Sequence, residues 1–220
     1  MIGVVVPAHD EEILLEDCLA SLVAARHHPD LMGEEVRIVV VLDACTDASL
    51  EVARRFDVTI VEVEARNVGF ARAAGARHAL EAGARWLAFT DADTVVAPGW
   101  LAAQLALGAD VVCGTVAVDD WSEHPPSVRA RHLRDYVDAC GHRHIHGANL
   151  GIDRDAYLAI GGFPPRTSDE DVALVESARA LGLTIAWSSL PRVTTSARRV
   201  GRAPLGFAAT LRASSLALVG

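Results

Sequence analysis

Asp91 and Asp93, separated by Ala92, follow the apolar run Trp86-Leu87-Ala88-Phe89-Thr90, so two carboxylates are carried out of a buried strand into a loop. The run is too short for a helix, and Pro98-Gly99 marks a turn before the next one. In an extended segment alternate side chains point the same way. Two hard oxygen donors converging on one point suit Mg²⁺ or Mn²⁺, above all where a phosphate supplies further ligands. A lone Asp-x-Asp is equally the composition of a solvated acidic turn, so the rest of the chain has to choose between the two.

A second acidic constellation, Ser168-Asp169-Glu170-Asp171, opens a helical stretch. Acids in a first turn complement the helix dipole, and Ser or Asp is an ordinary cap, but three consecutive acids exceed what a cap requires. A carboxylate in a cleft beside a hydroxyl is a general base, because burial raises its affinity for a proton. Asp43 closes the strongly apolar Val39-Val40-Val41-Leu42 and is either a turn residue or an acceptor for a base or ribose group. Asn67, Gly69 and Arg72 form a loop-to-helix transition in which a guanidinium could meet a diphosphate. His142, His144 and His146 alternate, so an extended backbone would put them on one face, for metal, phosphate or plain exposure.

The elements that must hold these residues alternate. Strands are expected at Ile2 to Val6, Val36 to Leu42, Val58 to Val63 and Trp86 to Thr90, with helices from about Glu11 to Ala25, from a Thr46 or Asp47 cap through Arg55, and from Ala71 to Glu81. That order implies an α/β fold with a mostly parallel sheet. In open α/β sheets ligands bind outside the carboxyl ends of the strands. His9 to Glu12, Asp43, Arg66-Asn67 and Asp91 to Asp93 should therefore share one crevice. Beyond Pro98 the pattern predicts a short helix to Leu107, a strand from Asp110 to Val118, helical spacing from Ser127 to Cys140, a short helix from Arg154 to Ile160, and a helix from Val172 to Leu181 capped by Asp169-Glu170-Asp171.

With 220 residues, 51% hydrophobic and 22% charged, the chain reads as one domain, 1–220, with no low-complexity divider or repeat. Its formal net charge of −9 argues against a nucleic-acid partner. All twenty basic residues are Arg, which excludes Schiff-base chemistry and a phosphate-loop lysine. Cys18, Cys45, Cys113 and Cys140 show no metal-ribbon spacing and read as reduced thiols of a cytoplasmic protein. The start lacks a basic leader region and no apolar segment approaches the ~20 residues of a transmembrane span. The apolar stretch Leu205 to Val219 contains Arg212 and leaves peripheral membrane association open.

Together these motifs resemble family 2 glycosyltransferases of the GT-A fold. Val5-Val6-Pro7-Ala8-His9-Asp10-Glu11-Glu12 is similar to the family's opening strand and Pro-x-x-Asn-Glu-Glu segment, with Asp10 for Asn. Val41-Leu42-Asp43-Ala44-Cys45-Thr46-Asp47 resembles Asp-Asp-Gly-Ser-Thr-Asp, with Leu42 for the first acid and Ala44-Cys45 for Gly-Ser. Asn67-Val68-Gly69 before an Ala/Arg-rich helix, Thr90-Asp91-Ala92-Asp93, Asn149-Leu150-Gly151, Gly161-Gly162-Phe163 and Glu170-Asp171 follow in the family's order.

The resemblance implies a GT-A domain with a nucleotide-binding half, 1–97, and an acceptor-binding half, 98–220. It implies an inverting transfer from a UDP- or GDP-sugar to the hydroxyl of a small-molecule or lipid-linked acceptor. Pro7, Ala8, Glu11, Asp43, Asn67, Arg72 and Asp91 would line the donor site, with Asp43 on the base and Arg72 near the diphosphate. Asp93 with Asp91 would bind Mn²⁺ or Mg²⁺, Asp171 with Glu170 beside it would be the catalytic base, and Gly147, Ala148 and Asn149 would line the sugar and acceptor region. Many such enzymes place a third metal ligand, often His, late in the chain; here no His follows His146, and Thr194-Thr195-Ser196 occupies that region. Two other readings fit the opening motif: a HAD-like phosphatase, which also carries Asp-x-Asp after a strand but generally uses a downstream Lys, and a non-catalytic nucleotide-sugar-binding module.

Overall fold

The computed structural model describes residues 1–198; the apolar stretch from Leu205 lies outside them. Strand β1 (Ile2–Ala8) is followed by α1 (Leu15–Ala25), β2 (Val36–Asp43), α2 (Ser49–Ala53), β3 (Thr59–Val63), α3 (Val68–Glu81) and β4 (Trp86–Phe89). The second half contributes β5 (Thr94–Val96), α4 (Trp100–Ala106), β6 (Val111–Gly114), α5 (Pro126–Asp135), β7 (Leu150–Asp153), α6 (Arg154–Ile160), α7 (Glu170–Ala180), β8 (Ile185–Ser188) and β9 (Val193–Thr195). Among the described residues a seven-stranded sheet runs β3-β2-β1-β4-β7-β6-β8, antiparallel only where β7 meets β4 and β6. No helix among them is long and apolar enough to cross a membrane.

The apolar runs are two interleaved period-2 patterns. Val4, Val6, Ile38, Val40, Leu42 and Ala88 face the core under α1 and α2, whereas Val5, Val39, Val41, Leu87 and Phe89 face the core under α3, α6 and α7. Helix α3 lies close to the sheet because its buried side is small: Ala71, Ala74, Gly75, Ala76 and Ala79. A Cβ on Gly75 would come within 2.4 Å of Val5 Cγ1 and 2.9 Å of Val41 Cγ2.

Chain direction places the site. From β1 the chain adds β2 and then β3 on one side, and returns to add β4 on the other side of β1. The connections therefore diverge at the carboxyl ends of β1 and β4, the switch point where such sheets bind ligands. Pro7 to Glu11 and Asp91 to Asp93 leave the sheet there.

Several expected boundaries move for local reasons. Helix α1 starts at Leu15 rather than near Glu11 because Glu11 and Glu12 direct their backbone N–H groups at Ser49 Oγ (2.8 Å) and Asp47 Oδ2 (2.9 Å). The strand expected from Asp110 to Val118 ends at Gly114, and Ala117 bridges instead to Thr194. The helical spacing from Ser127 to Cys140 is helix only to Asp135, since Tyr136 turns extended. Asp169 holds the cap position of α7 in a left-handed conformation (φ 58°) with no side-chain cap bond, so the capping role expected of it is not made.

Replacing Gly75 by Ala should destabilise the protein by roughly 1–3 kcal/mol, despite alanine's better helix propensity. Urea unfolding measures this, and a variant at least as stable as the parent would contradict the packing described.

Candidate active site

The loops after β1, β2 and β3 are joined by carboxylate-to-backbone bonds. Asp10 accepts from the N–H groups of Thr46 (2.7 Å) and Asp47 (3.3 Å), which holds its carboxyl below the usual range, and Glu12 accepts from Ala48 N–H (2.8 Å). Asp43 is buried and accepts from three successive N–H groups, those of Ala65 (2.7 Å), Arg66 (2.8 Å) and Asn67 (2.7 Å). The carboxylate of Asp43, expected on the base, thus also shapes the next loop. Asn67 caps α3, its Oδ1 accepting from Phe70 N–H (2.9 Å). Asp10, Ala44 and Arg66 all have positive φ at this rim, and Ala44 stands where the related motif has Gly.

Asp91 and Asp93 do not lie on an extended segment. Thr94 N–H donates to Asp91 O (3.1 Å), closing a turn, and the two carboxylates engage different arginines. Arg72, buried on α3, pairs through Nη2 with Asp91 and through Nη1 with Glu170, while its guanidinium lies over the Phe163 ring (5.9 Å). Both ends of the guanidinium expected near the diphosphate are engaged by carboxylates. Glu170 is buried against it, and burial pushes its carboxyl up. Glu170 is thus the counterion of Arg72 in this structure.

Asp171, the next residue, is held by backbone alone. Its Oδ2 accepts from Gly147 N–H (2.7 Å) and its Oδ1 from Val172 N–H (2.8 Å). Burial raises its pKa, with the Arg72 charge opposing. Gly147 is required by proximity, because a Cβ there would fall 2.4 Å from Arg72 Nη2. Ala148 is buried beside it. Asn149 does not line the cleft: it is fully buried, accepting from Trp100 Nε1–H (2.9 Å) and donating to Thr115 O (2.7 Å) and Pro191 O (2.9 Å).

The alternating histidines stack rather than converge. Tyr136 stacks on His132 (4.9 Å) and His144 (4.2 Å), and His144 lies between His142 (5.5 Å) and His146 (5.8 Å). One nitrogen of each ring is engaged: His142 Nδ1 accepts from His144 N–H, His144 Nε2 from Val137 N–H, and His146 Nε2 meets Tyr136 Oη (3.1 Å), while His142 Nε2 is buried with no hydrogen-bond partner. Burial, then the neighbouring imidazoles, push His146 down to about 3. Among the described residues the group of His, Cys and acidic side chains close enough to share one ion is Asp10, Cys45 and Asp47, whose two carboxylates already accept from loop N–H groups.

At the other end of the crevice Arg198 reaches back across the switch point. It grips Glu11 with both arms (Nη1 to Oε2 2.7 Å, Nη2 to Oε1 2.6 Å) and touches Asp93 Oδ2 (3.0 Å). Thr195 Oγ1 lies 3.5 Å from Asp93 Oδ1. Burial, then the Asp91 charge, push Asp93 up to about 6, with Arg198 opposing and Glu11 adding to the rise. Asp91 and Asp93 present hard oxygen donors of the kind a divalent cation takes from two carboxylates and a substrate phosphate; each is paired with an arginine, Arg72 and Arg198, and among the described residues no third acid converges on them to make a three-ligand group. Nothing in the motifs pointed to Arg198; the one signal was a basic pair, Arg198-Arg199, one residue beyond Thr194-Thr195-Ser196.

A switch-point crevice with acids at the ends of β1 and β4 and a partly buried Asp at a helix start defines the GT-A architecture. The family model described as glycosyl transferase family 2 matches residues 3–161, so the chain belongs to that family. Solved structures agree in fold. Staphylococcus aureus TarS 1-349 with UDP-GlcNAc superposes with a TM-score of 0.70 at 16% identity, covering 100% of this chain and 66% of that one. The mannosyltransferase PcManGT from Pyrobaculum calidifontis with GDP-Man and Mn²⁺ gives 0.66 at 23% identity, covering 91% and 58%. Glucosyl-3-phosphoglycerate synthase from Mycobacterium tuberculosis with Mn²⁺, UDP and phosphoglyceric acid gives 0.64 at 21%, covering 100% and 78%. The chain thus spans about two thirds of TarS 1-349 and less of the mannosyltransferase. No functionally curated protein matches it. The phosphatase reading is overturned by the family match and the fold, and Asp91, paired with Arg72, is not a free nucleophile.

The raised Asp93 has a signed consequence. In the native protein without metal, ionising Asp93 costs stability as pH rises through about 6, and the cost vanishes near its ordinary value of 3.8. With chelator present, Asp93→Asn should be more stable than the parent at pH 7.5, on the order of 1–3 kcal/mol. The gap should close between pH 6 and 4. Urea midpoints across that range check it, and a pH-independent difference would contradict the assignment.

Proposed function

We propose that the chain is an inverting glycosyltransferase that moves a sugar from a nucleotide diphosphate to an acceptor hydroxyl. The observation that carries this reading is the single guanidinium, Arg72, on which the loop of Asp91 and Asp93 meets the loop of Glu170 and Asp171. A donor-side acid pair and a candidate base, far apart in sequence, face one crevice at the switch point.

Pro7, Ala8 and Glu11 at the end of β1 form the donor floor, and Asn67 with the Asp43-bound loop forms its wall, so 1–97 is the donor half. The region 98–220 is the acceptor half, with Gly147 and Ala148 beside the base. Asp93 and Asp91 would hold a divalent cation, Mn²⁺ or Mg²⁺, which when bound would supply positive charge to the departing diphosphate. The reading is supported by Mn²⁺ in the mannosyltransferase and phosphoglycerate synthase structures, and by UDP-GlcNAc, UDP and GDP-Man in the relatives.

Asp171 takes the proton of the acceptor hydroxyl. The acceptor oxygen bonds to the anomeric carbon as the bond from that carbon to the phosphate oxygen breaks, and one such displacement inverts the centre. Two backbone N–H groups fix the carboxylate's orientation, while burial strengthens it as a base. Glu170 stays with Arg72, and Asp43 acts through the loop it holds.

UDP- and GDP-sugars should raise the melting temperature in the presence of Mn²⁺. Asp171→Asn should keep that shift and lose transfer by at least about 10²-fold, the usual range for a missing general base. Asp93→Asn should lose the Mn²⁺-dependent shift. Undiminished turnover in Asp171→Asn, or no stabilisation by any nucleotide-sugar, would overturn the reading.

A further inference from the structure

Arg198 rests on the acids that a metal would need. Its Nη2 is 3.0 Å from Asp93 Oδ2, and its fork is fully engaged with both oxygens of the buried Glu11. A paired fork of this kind is a strong, geometrically specific contact. The guanidinium occupies, as a single charge, the place beside Asp93 and Glu11 that a divalent cation would take. A divalent ion binding Asp93 beside it would meet a like charge at contact range.

Diphosphate is the other partner that a guanidinium fork recognises bidentately. Arg198 stands at the crevice end where the donor diphosphate would lie, on the segment just beyond β9, whose Thr195 Oγ1 is 3.5 Å from Asp93. Binding of that anion offers the fork an exchange of carboxylate for phosphate, and frees Asp93 as it does so.

We propose that Arg198 is a donor-responsive gate on the metal site: without nucleotide it holds Asp93 and Glu11 as an internal cation, and an incoming nucleotide diphosphate draws it away. The proposal rests on the donor-site reading above. Metal then binds with the nucleotide and not ahead of it. Because coupling between two ligands is reciprocal, each raises the affinity of the other through Arg198.

Manganese binding to the nucleotide-free protein, measured by calorimetry or by the electron paramagnetic signal of free Mn²⁺, tests this without any turnover. In the unmodified protein, UDP or GDP should tighten Mn²⁺ binding by at least tenfold. In Arg198→Ala, Mn²⁺ alone should bind at least tenfold tighter than in the parent, and added nucleotide should tighten it by a smaller factor than it does in the parent. Arg198→Lys, a charge without the fork, should fall between them. Equal or weaker Mn²⁺ binding in a folded Arg198→Ala would overturn the gate, and so would nucleotide-independent Mn²⁺ affinity in the unmodified protein, a result that needs no variant. If UDP and GDP bind with Mn²⁺ yet these differences are absent, the gate alone fails. If neither nucleotide binds at any Mn²⁺ concentration, the donor site itself fails and the gate with it.

Discussion

A buried arginine flanked by two acids is an expensive arrangement unless each charge finds its partner. Arg72 sits within α3 against the sheet, and the carboxylates of Asp91 and Glu170 are what make its burial tolerable. The dependence runs both ways. Glu170 is almost wholly buried and already pushed toward its neutral form, so without the guanidinium it would be an uncompensated charge at the start of α7. Pinning Glu170 also pins Asp171, its neighbour in the chain, and pinning Asp91 fixes one side of the turn that carries Asp93.

From that centre outward, the site is built largely by carboxylates that hold backbone. Asp10, Glu12, Asp43 and Asp47 accept from N–H groups of neighbouring loops, and Asp171 accepts from Gly147 and Val172. Loops at strand ends carry unpaired N–H groups, and acidic side chains are suited to satisfy several of them at once. The result is a crevice whose walls are preset while two acids, Asp93 and Asp171, have basicity raised by burial. Those are the two groups to which the proposed function assigns cation binding and proton acceptance.

The first four strands and their helices were legible because period-2 apolar runs alternate with capped helical stretches, and strand ends then locate the crevice. The family followed from motif order, since no single motif is specific. Less legible was what each polar residue does. The family resemblance places Asn149 at the cleft, yet its amide is saturated by Trp100, Thr115 and Pro191, partners distant in sequence. The partners of Asp43 and Arg72 likewise come from other loops, and sequence spacing carries no record of such pairings. The three-residue strands β5 and β9 are too short to show a period, so Arg198 beyond them had nothing to place it beside Asp93.

The central claim is that Arg72 and Glu170 act as a unit joining the donor and base loops. A double-mutant cycle on folding stability, with Arg72→Met, Glu170→Gln and the pair, measures this directly. Either single change should cost about 3–5 kcal/mol by leaving a buried charge or its partner unpaired. The double variant should recover a large part, giving a coupling of at least about 2 kcal/mol. Additive losses within about 0.5 kcal/mol would contradict the account, because the two residues would then be stabilising the fold independently.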